Sequence, residues 1–209
     1  MLRPPERLPE RDAAIAAMLP HVPFDGWTQR ALRQGLADIG APADDADLLF
    51  PGGPVDMVAC FCDLADRRME QAAAELDMTD MRLPRRVRAV IALRLEQNRP
   101  HKEAIRRALA VLALRGRAAA AACTARTVDA IWHAAGDTSA DFSWYTKRAI
   151  LASVYTSTLL FWLRDTSDAD ADTLEFLDRR LAGVGGIGKL RKRAEAAMQR
   201  FLPPRFRSA

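Results

Sequence analysis

Between Asp129 and Arg148 the chain gathers the side chains best suited to chemistry, and the chemistry they suit is recognition. Trp132, Trp144, Tyr145, Lys147 and Arg148 surround a Gly136-Asp137 turn, although aromatic residues fill only 7% of the 209 positions. Asp137, Thr138, Ser139 and Asp141 carry oxygens that can stop one helix and cap the next. On the helix expected from about Phe142, Trp144 and Arg148 lie four apart and share a face, with Tyr145 beside them. Trp, Tyr and Arg dominate the energetics of protein interfaces, so the cluster is read as a docking patch.

Groups that could break or form bonds are not assembled elsewhere in the sequence. His21, His101 and His133 have no His-x-x-x-His or Glu-x-x-His partner of the kind a zinc site uses. Cys60, Cys62 and Cys123 form no metal or redox spacing, and their odd number suits reduced thiols in a cytosolic compartment. There is no Gly-x-Ser-x-Gly elbow, Walker loop or dinucleotide fingerprint. The glycines at 183, 185, 186 and 188 match a nucleotide loop only in number, since no strand precedes them. The expectation is a protein without catalytic residues, metal or cofactor.

The elements that must position the patch are helices. The chain is 49% hydrophobic and 28% charged. It is rich in Ala, Leu and Arg and lacks long β-branched alternation. An all-α fold of about nine to ten helices is expected. Helices are read over 11–21, from a Thr28 cap to Asp38, over 43–50, 55–76, 80–98, 100–114, 118–135, 142–163 and 170–181. Three short helices followed by a long one have the outline of a degenerate helix-turn-helix head of TetR type over 11–54, after a flexible start at 1–10. Its reader helix would hold Asp44, Asp45 and Asp47 and no Lys or Arg, which repels phosphate and cannot read base edges. No nucleic-acid partner is therefore expected. A larger helical domain should occupy 55–182.

The formal charge is +4, yet from Lys189 onward there are seven Lys or Arg against Glu195 alone. After the glycine hinge, Ile187, Leu190, Met198 and Phe201 recur at helical spacing, with Lys189, Arg191, Lys192 and Arg193 around them. An amphipathic helix of that kind over 183–209 suits an anionic membrane surface. No apolar run is long enough to span a bilayer, and residues 1–10 lack a signal core.

The stretch Ala135-Gly-Asp-Thr-Ser-Ala-Asp-Phe-Ser-Trp-Tyr-Thr-Lys-Arg-Ala149 is very similar to the central signature of the Coq-nine (COQ9) family, lipid-binding accessory proteins of ubiquinone biosynthesis. Gly26-Trp27-Thr28, Leu49-Phe50-Pro51, Asp129-Ala-Ile-Trp-His133 and Phe176-Leu-Asp-Arg-Arg180 support the resemblance in order along residues 11 to 182. It implies a TetR-like homodimer that does not bind DNA and holds an isoprenoid quinone precursor or other lipid in the 55–182 domain. It also implies presentation of that lipid to the demethoxyubiquinone hydroxylase.

Carried onto this sequence, the resemblance implies a partner surface of Asp129, Ile131, Trp144, Tyr145 and Arg148. Apolarity and helix position nominate Leu93, Leu109, Leu112, Trp132, Tyr155, Leu159 and Trp162 for the lipid pocket. The family's terminal membrane helix would correspond to Ile187 through Leu202. Because the chain begins without a mitochondrial presequence, a bacterial protein is expected, cytoplasmic and peripheral at the inner face of the cytoplasmic membrane. The alternative reading is a TetR-type transcriptional regulator responding to a lipid-like ligand.

Overall fold

Thr28 precedes the most amphipathic short run of the chain, and a capping side chain at that point starts a helix. Its hydroxyl accepts a hydrogen bond from the Ala31 amide at 3.3 Å. The computed structural model describes residues 5–137 and 143–183, and of Ser143 and Trp144 the backbone only. Its helices are α1 (Pro9–Met18), α2 (Val22–Asp25), α3 (Gln29–Asp38), α4 (Asp45–Leu49), α5 (Gly53–Ala74), α6 (Leu83–Gln97), α7 (Lys102–Arg115), α8 (Arg117–Ala134) and α9 (Ser143–Trp162). A tenth, α10, runs over 171–183. Among the described residues there is no strand.

The reading of one helix over 11–21 is corrected in its last turn. Pro23 cannot sit inside a helix but fits a first turn, so the chain leaves α1 at Met18 and restarts as the single turn α2. Gly26 ends that turn at φ 71°. This is a left-handed conformation that suits glycine. Gly35 matters for a different reason: a Cβ there would lie 2.6 Å from the Met18 amide nitrogen. Its hydrogen lets α3 cross α1 backbone to backbone.

Helix α5 is the central post, with α1, α6, α7 and α8 packed around it, α8 most extensively. Phe50, Met57, Val58, Met69, Ile91, Ile131 and Trp162 are fully buried in one continuous apolar core. Trp27 fastens the short-helix head to this body. Its ring meets Phe61 with centroids 5.4 Å apart, and its Nε1 donates to the Ala104 carbonyl at 2.9 Å. Arg11 is buried at the same junction, donating to Asp56 at 2.6 Å while lying 4.5 Å over the Phe50 ring. A guanidinium in that position is attracted by the ring face as well as by the carboxylate.

The connection into α10 is built from polar side chains. Asp165 accepts from the Ser167 and Thr173 amides at 2.8 and 2.9 Å and from both hydroxyls. Ala169 and Asp170 follow at φ 50° and 59°. Such angles are unfavourable for residues with a Cβ. Arg99 and Lys102 hold the Asp170 carboxylate at 2.8 and 2.6 Å, which fixes that turn.

Candidate functional site

The docking cluster lies where α8 ends and α9 begins. Gly136 takes φ 74° to close α8. The Asp137 amide bonds back to the Trp132 carbonyl at 3.0 Å, which satisfies one of the helix's last acceptors. Arg86 from α6 secures this end: its Nη1 donates to the Ala135 carbonyl at 3.3 Å and its Nε to the Met81 carbonyl at 2.9 Å. Asp129 and Arg148 form an ion pair between α8 and α9, so two of the expected partner residues touch each other. Tyr145 is 76% exposed in the first turn of α9. Trp144 belongs to that turn, with its side chain outside the described residues, as are the expected caps Thr138, Ser139 and Asp141.

Ile131 is a correction to the expected surface. It is fully buried in the core and faces away from the flank that bears Asp129, so it supports α8 rather than offering atoms to a partner. On the exposed side the polar surface continues instead to His133, whose Nδ1 lies 3.1 Å from Glu70.

Two apolar spaces lie beneath and beside this region, and the expected lipid-pocket residues divide between them. Leu109, Leu112, Tyr155, Leu159 and Trp162 line an interior void of only about 60 Å³. That is room for a water or two, not for a polyprenyl chain. Leu93 packs against the core and lines neither space. Trp132 lines the second space, a groove of about 780 Å³ between α6, the end of α8, α9 and α10.

The groove's other walls are Met81, Leu83, Pro84, Val87, Ala89, Ile150, Leu151, Leu181 and Ala182. Arg85, Arg88, Lys147 and Asp178 form its polar edge, and Arg88 spans from α6 to Asp178 of α10 with contacts of 2.9 and 3.2 Å. The stripe Leu83–Val87 and the α10 leucines follow ordinary helical periodicity. Which of them stay uncovered depends on how far α6 and α10 stand apart, and periodicity carries no such distance. Arg86, on the same helix, holds the end of α8.

Beneath the void runs a buried polar line. Arg94 pairs with Asp66 at 2.7 Å and its Nε donates to the Tyr155 hydroxyl at 2.9 Å. Thr127 donates to the other Asp66 oxygen at 3.1 Å. Burial pushes the Asp66 carboxyl up to about 6, against the opposite pull of Arg94 and Thr127. Burial works against the Arg94 charge as well, but Asp66 and Tyr155 more than offset it and the guanidinium stays protonated. Among the described residues no group of three His, Cys, Asp or Glu is arranged to hold a metal ion, and no helix is long and apolar enough to cross a membrane. The expected membrane residues Ile187, Lys189, Leu190, Arg191, Lys192, Arg193, Met198 and Phe201 lie outside the described residues.

Comparison with known proteins bears on this arrangement. The family model COQ9 matches residues 118–188, a span that takes in nearly all of α8, the turn after it, α9 and α10. Ubiquinone biosynthesis protein COQ9, mitochondrial, of Rattus norvegicus is 30% identical over 190 residues, covering 87% of this chain and 61% of that protein. The Schizosaccharomyces pombe protein of that name is 31% identical over 175 residues, covering 83% and 69%. The chain thus spans less than two thirds of the length of the mammalian relatives it matches. A TetR transcriptional regulator from Nitrosomonas europaea shares the fold, with a TM-score of 0.66 at 22% identity, covering 84% of this chain and 97% of that one.

These relatives are mitochondrial proteins of eukaryotes, which overturns the expectation of a bacterial protein at the inner face of a cytoplasmic membrane. That expectation stood on reduced cysteines and on the first residues of the chain. Unpaired thiols suit any reducing compartment and do not distinguish one from another.

Proposed function

We propose a function from one premise: the chain belongs to the COQ9 family, whose relatives are named for ubiquinone biosynthesis. It acts there as a non-catalytic accessory that takes up a lipid, an isoprenoid quinone precursor, and presents it to the demethoxyubiquinone hydroxylase. The observation that carries this reading is the groove beside Trp132, with a volume of about 780 Å³ and mainly apolar walls edged by Arg85, Arg88, Lys147 and Asp178. Small-molecule sites typically enclose about 300–1,000 Å³. Each buried methylene contributes about 0.8 kcal/mol, so such a groove can compete with a bilayer for part of a prenyl chain. The groove replaces the interior void as the lipid site.

The Asp129–Arg148 pair joins α8 and α9 within three residues of Trp132 and Lys147, which line the groove, so a partner bound there would stand close to it. On α9, Leu160 is 52% exposed and Phe161 stacks on Phe176 of α10 at 4.6 Å. This apolar face supports a homodimer. The basic sequence after Gly183 supports attachment to an anionic membrane surface. The regulator reading has less support: α4 spans five residues, and its Asp47 is engaged by Arg33 at 2.8 Å.

Native mass spectrometry of gently purified protein, with lipid analysis of the released ligand, tests the reading. A dimer carrying an isoprenoid quinone precursor is expected. A protein carrying no lipid, or only phospholipid, would contradict it.

A further inference from the structure

Cys62 on α5 and Cys123 on α8 stand far apart in sequence, yet the packing of the two helices brings them to one seam. One turn further along both helices, Thr127 donates to Asp66 at 3.1 Å. The same faces therefore meet four residues earlier, which sets positions 62 and 123 against each other across the seam. Arg126, three residues on from Cys123, donates from Nη2 to its sulfur at 3.3 Å. Both cysteines are free of disulfides, Cys123 is 4% exposed, and Cys62 opens onto the interior void.

The two thiols are not equivalent. The neighbouring Cys62 thiol and the charge of Arg126 hold the Cys123 thiol below its ordinary value, although burial opposes this. The neighbouring Cys123 thiol, together with burial, holds Cys62 well above its own. Cys60, two residues away, points to Arg11 rather than to the seam, and burial raises it. A thiol that ionises more readily than usual, beside a partner thiol that stays protonated, is the arrangement of an oxidisable dithiol.

We propose that Cys123 and Cys62 form a redox site that a hydroperoxide converts to an intrachain disulfide joining α5 to α8. The Cys123 thiolate attacks the distal peroxide oxygen; the O–O bond breaks, an S–O bond forms, and the departing oxygen leaves as an alcohol or water after taking a proton. Cys62 sulfur then attacks the Cys123 sulfenic acid, forming the S–S bond, breaking S–O and releasing water with the Cys62 proton. In sum, two thiols lose two electrons and one hydroperoxide gains them. The site is independent of the lipid groove. It would act on α8, the helix that carries Asp129 and Trp132.

Limited treatment of the full-length protein with hydrogen peroxide, followed by non-reducing peptide mass spectrometry with fragmentation, tests the proposal. The expected product is a Cys62–Cys123 linkage reversed by dithiothreitol, with Cys60 still a thiol. In Cys62→Ser, Cys123 should accumulate as a sulfenic acid that dimedone traps. Arg126→Gln should slow linkage by roughly 3- to 10-fold, as expected for losing a cation beside a thiolate. Oxidation of Cys60 in preference to Cys123, or a Cys123 sulfenic acid trapped equally in the wild type and in Cys62→Ser, would overturn it. The wild-type linkage decides the matter even should a variant fold poorly.

Discussion

Arg94 on α6 lies 2.7 Å from Asp66 on α5, and both side chains are less than a tenth exposed. An ion pair this deep offsets a large desolvation cost only while both partners are present. Tyr155 from α9 accepts from Arg94 and Thr127 from α8 donates to Asp66, so four helices meet at one charge pair.

Removing one partner strands the other. Asp66→Asn is expected to cost about 3–5 kcal/mol in urea unfolding, the range for breaking a buried pair. A double replacement, Asp66→Leu with Arg94→Met, should recover most of that loss, because apolar residues of similar volume need no compensation. Equal destabilisation by the single and double variants would show that packing, not the pair, carries the junction.

The partner surface yields a contrast between neighbours on α8 and α9. Tyr145→Ala removes an exposed ring and should leave stability within about 0.5 kcal/mol while weakening hydroxylase capture. Ile131→Ala opens a core cavity and should cost about 2–5 kcal/mol. Thermal melts together with pull-down of the hydroxylase check both, and a Tyr145→Ala protein that melts early would place that ring among the structural residues.

Acid should loosen the entry to α10 in a definite order. Against the desolvation that opposes it, hydrogen bonds from Ser167 and Thr173 hold the Asp165 carboxyl well below its ordinary 3.8. A depressed value means that its contribution is complete above the ordinary value and is lost as pH falls through the lower folded one. Amide exchange at Ser167 and Thr173, corrected for intrinsic rates, should stay protected at pH about 5 and fail only in stronger acid. Asp165→Asn should abolish that pH dependence, and protection unchanged by either would exclude Asp165 as the cap.

Much of the fold is legible in the sequence because its helices are bounded by local devices. The Thr28 cap and the glycine at 136 mark boundaries through hydrogen bonds and φ angles that neighbouring residues alone determine. The proposed lipid site is less legible. Leu109, Leu112, Leu159 and Trp162 have the apolarity of a pocket wall, but the approach of α5, α6 and α7 fills the space between them. The groove arises instead where α6 and α10 stand apart, a consequence of tertiary geometry bridged by Arg88 and Asp178. Ile131 carries a similar lesson: a residue inside a recognisable motif can serve it from the core. The meeting of Cys62 with Cys123 depends on the register of α5 against α8, which no spacing along the chain reveals.

The central claim is that the groove beside Trp132 holds lipid, and Ala89→Trp tests it most directly. Ala89 lines the groove from α6, and an indole there would occupy the space a prenyl chain needs. Wild type and variant, purified side by side, should show the same melting temperature, while lipid recovered per protein falls by roughly tenfold, a loss of about 1.4 kcal/mol or more in affinity. Equal lipid on both proteins, with the fold intact, would contradict the account and move the site away from this groove.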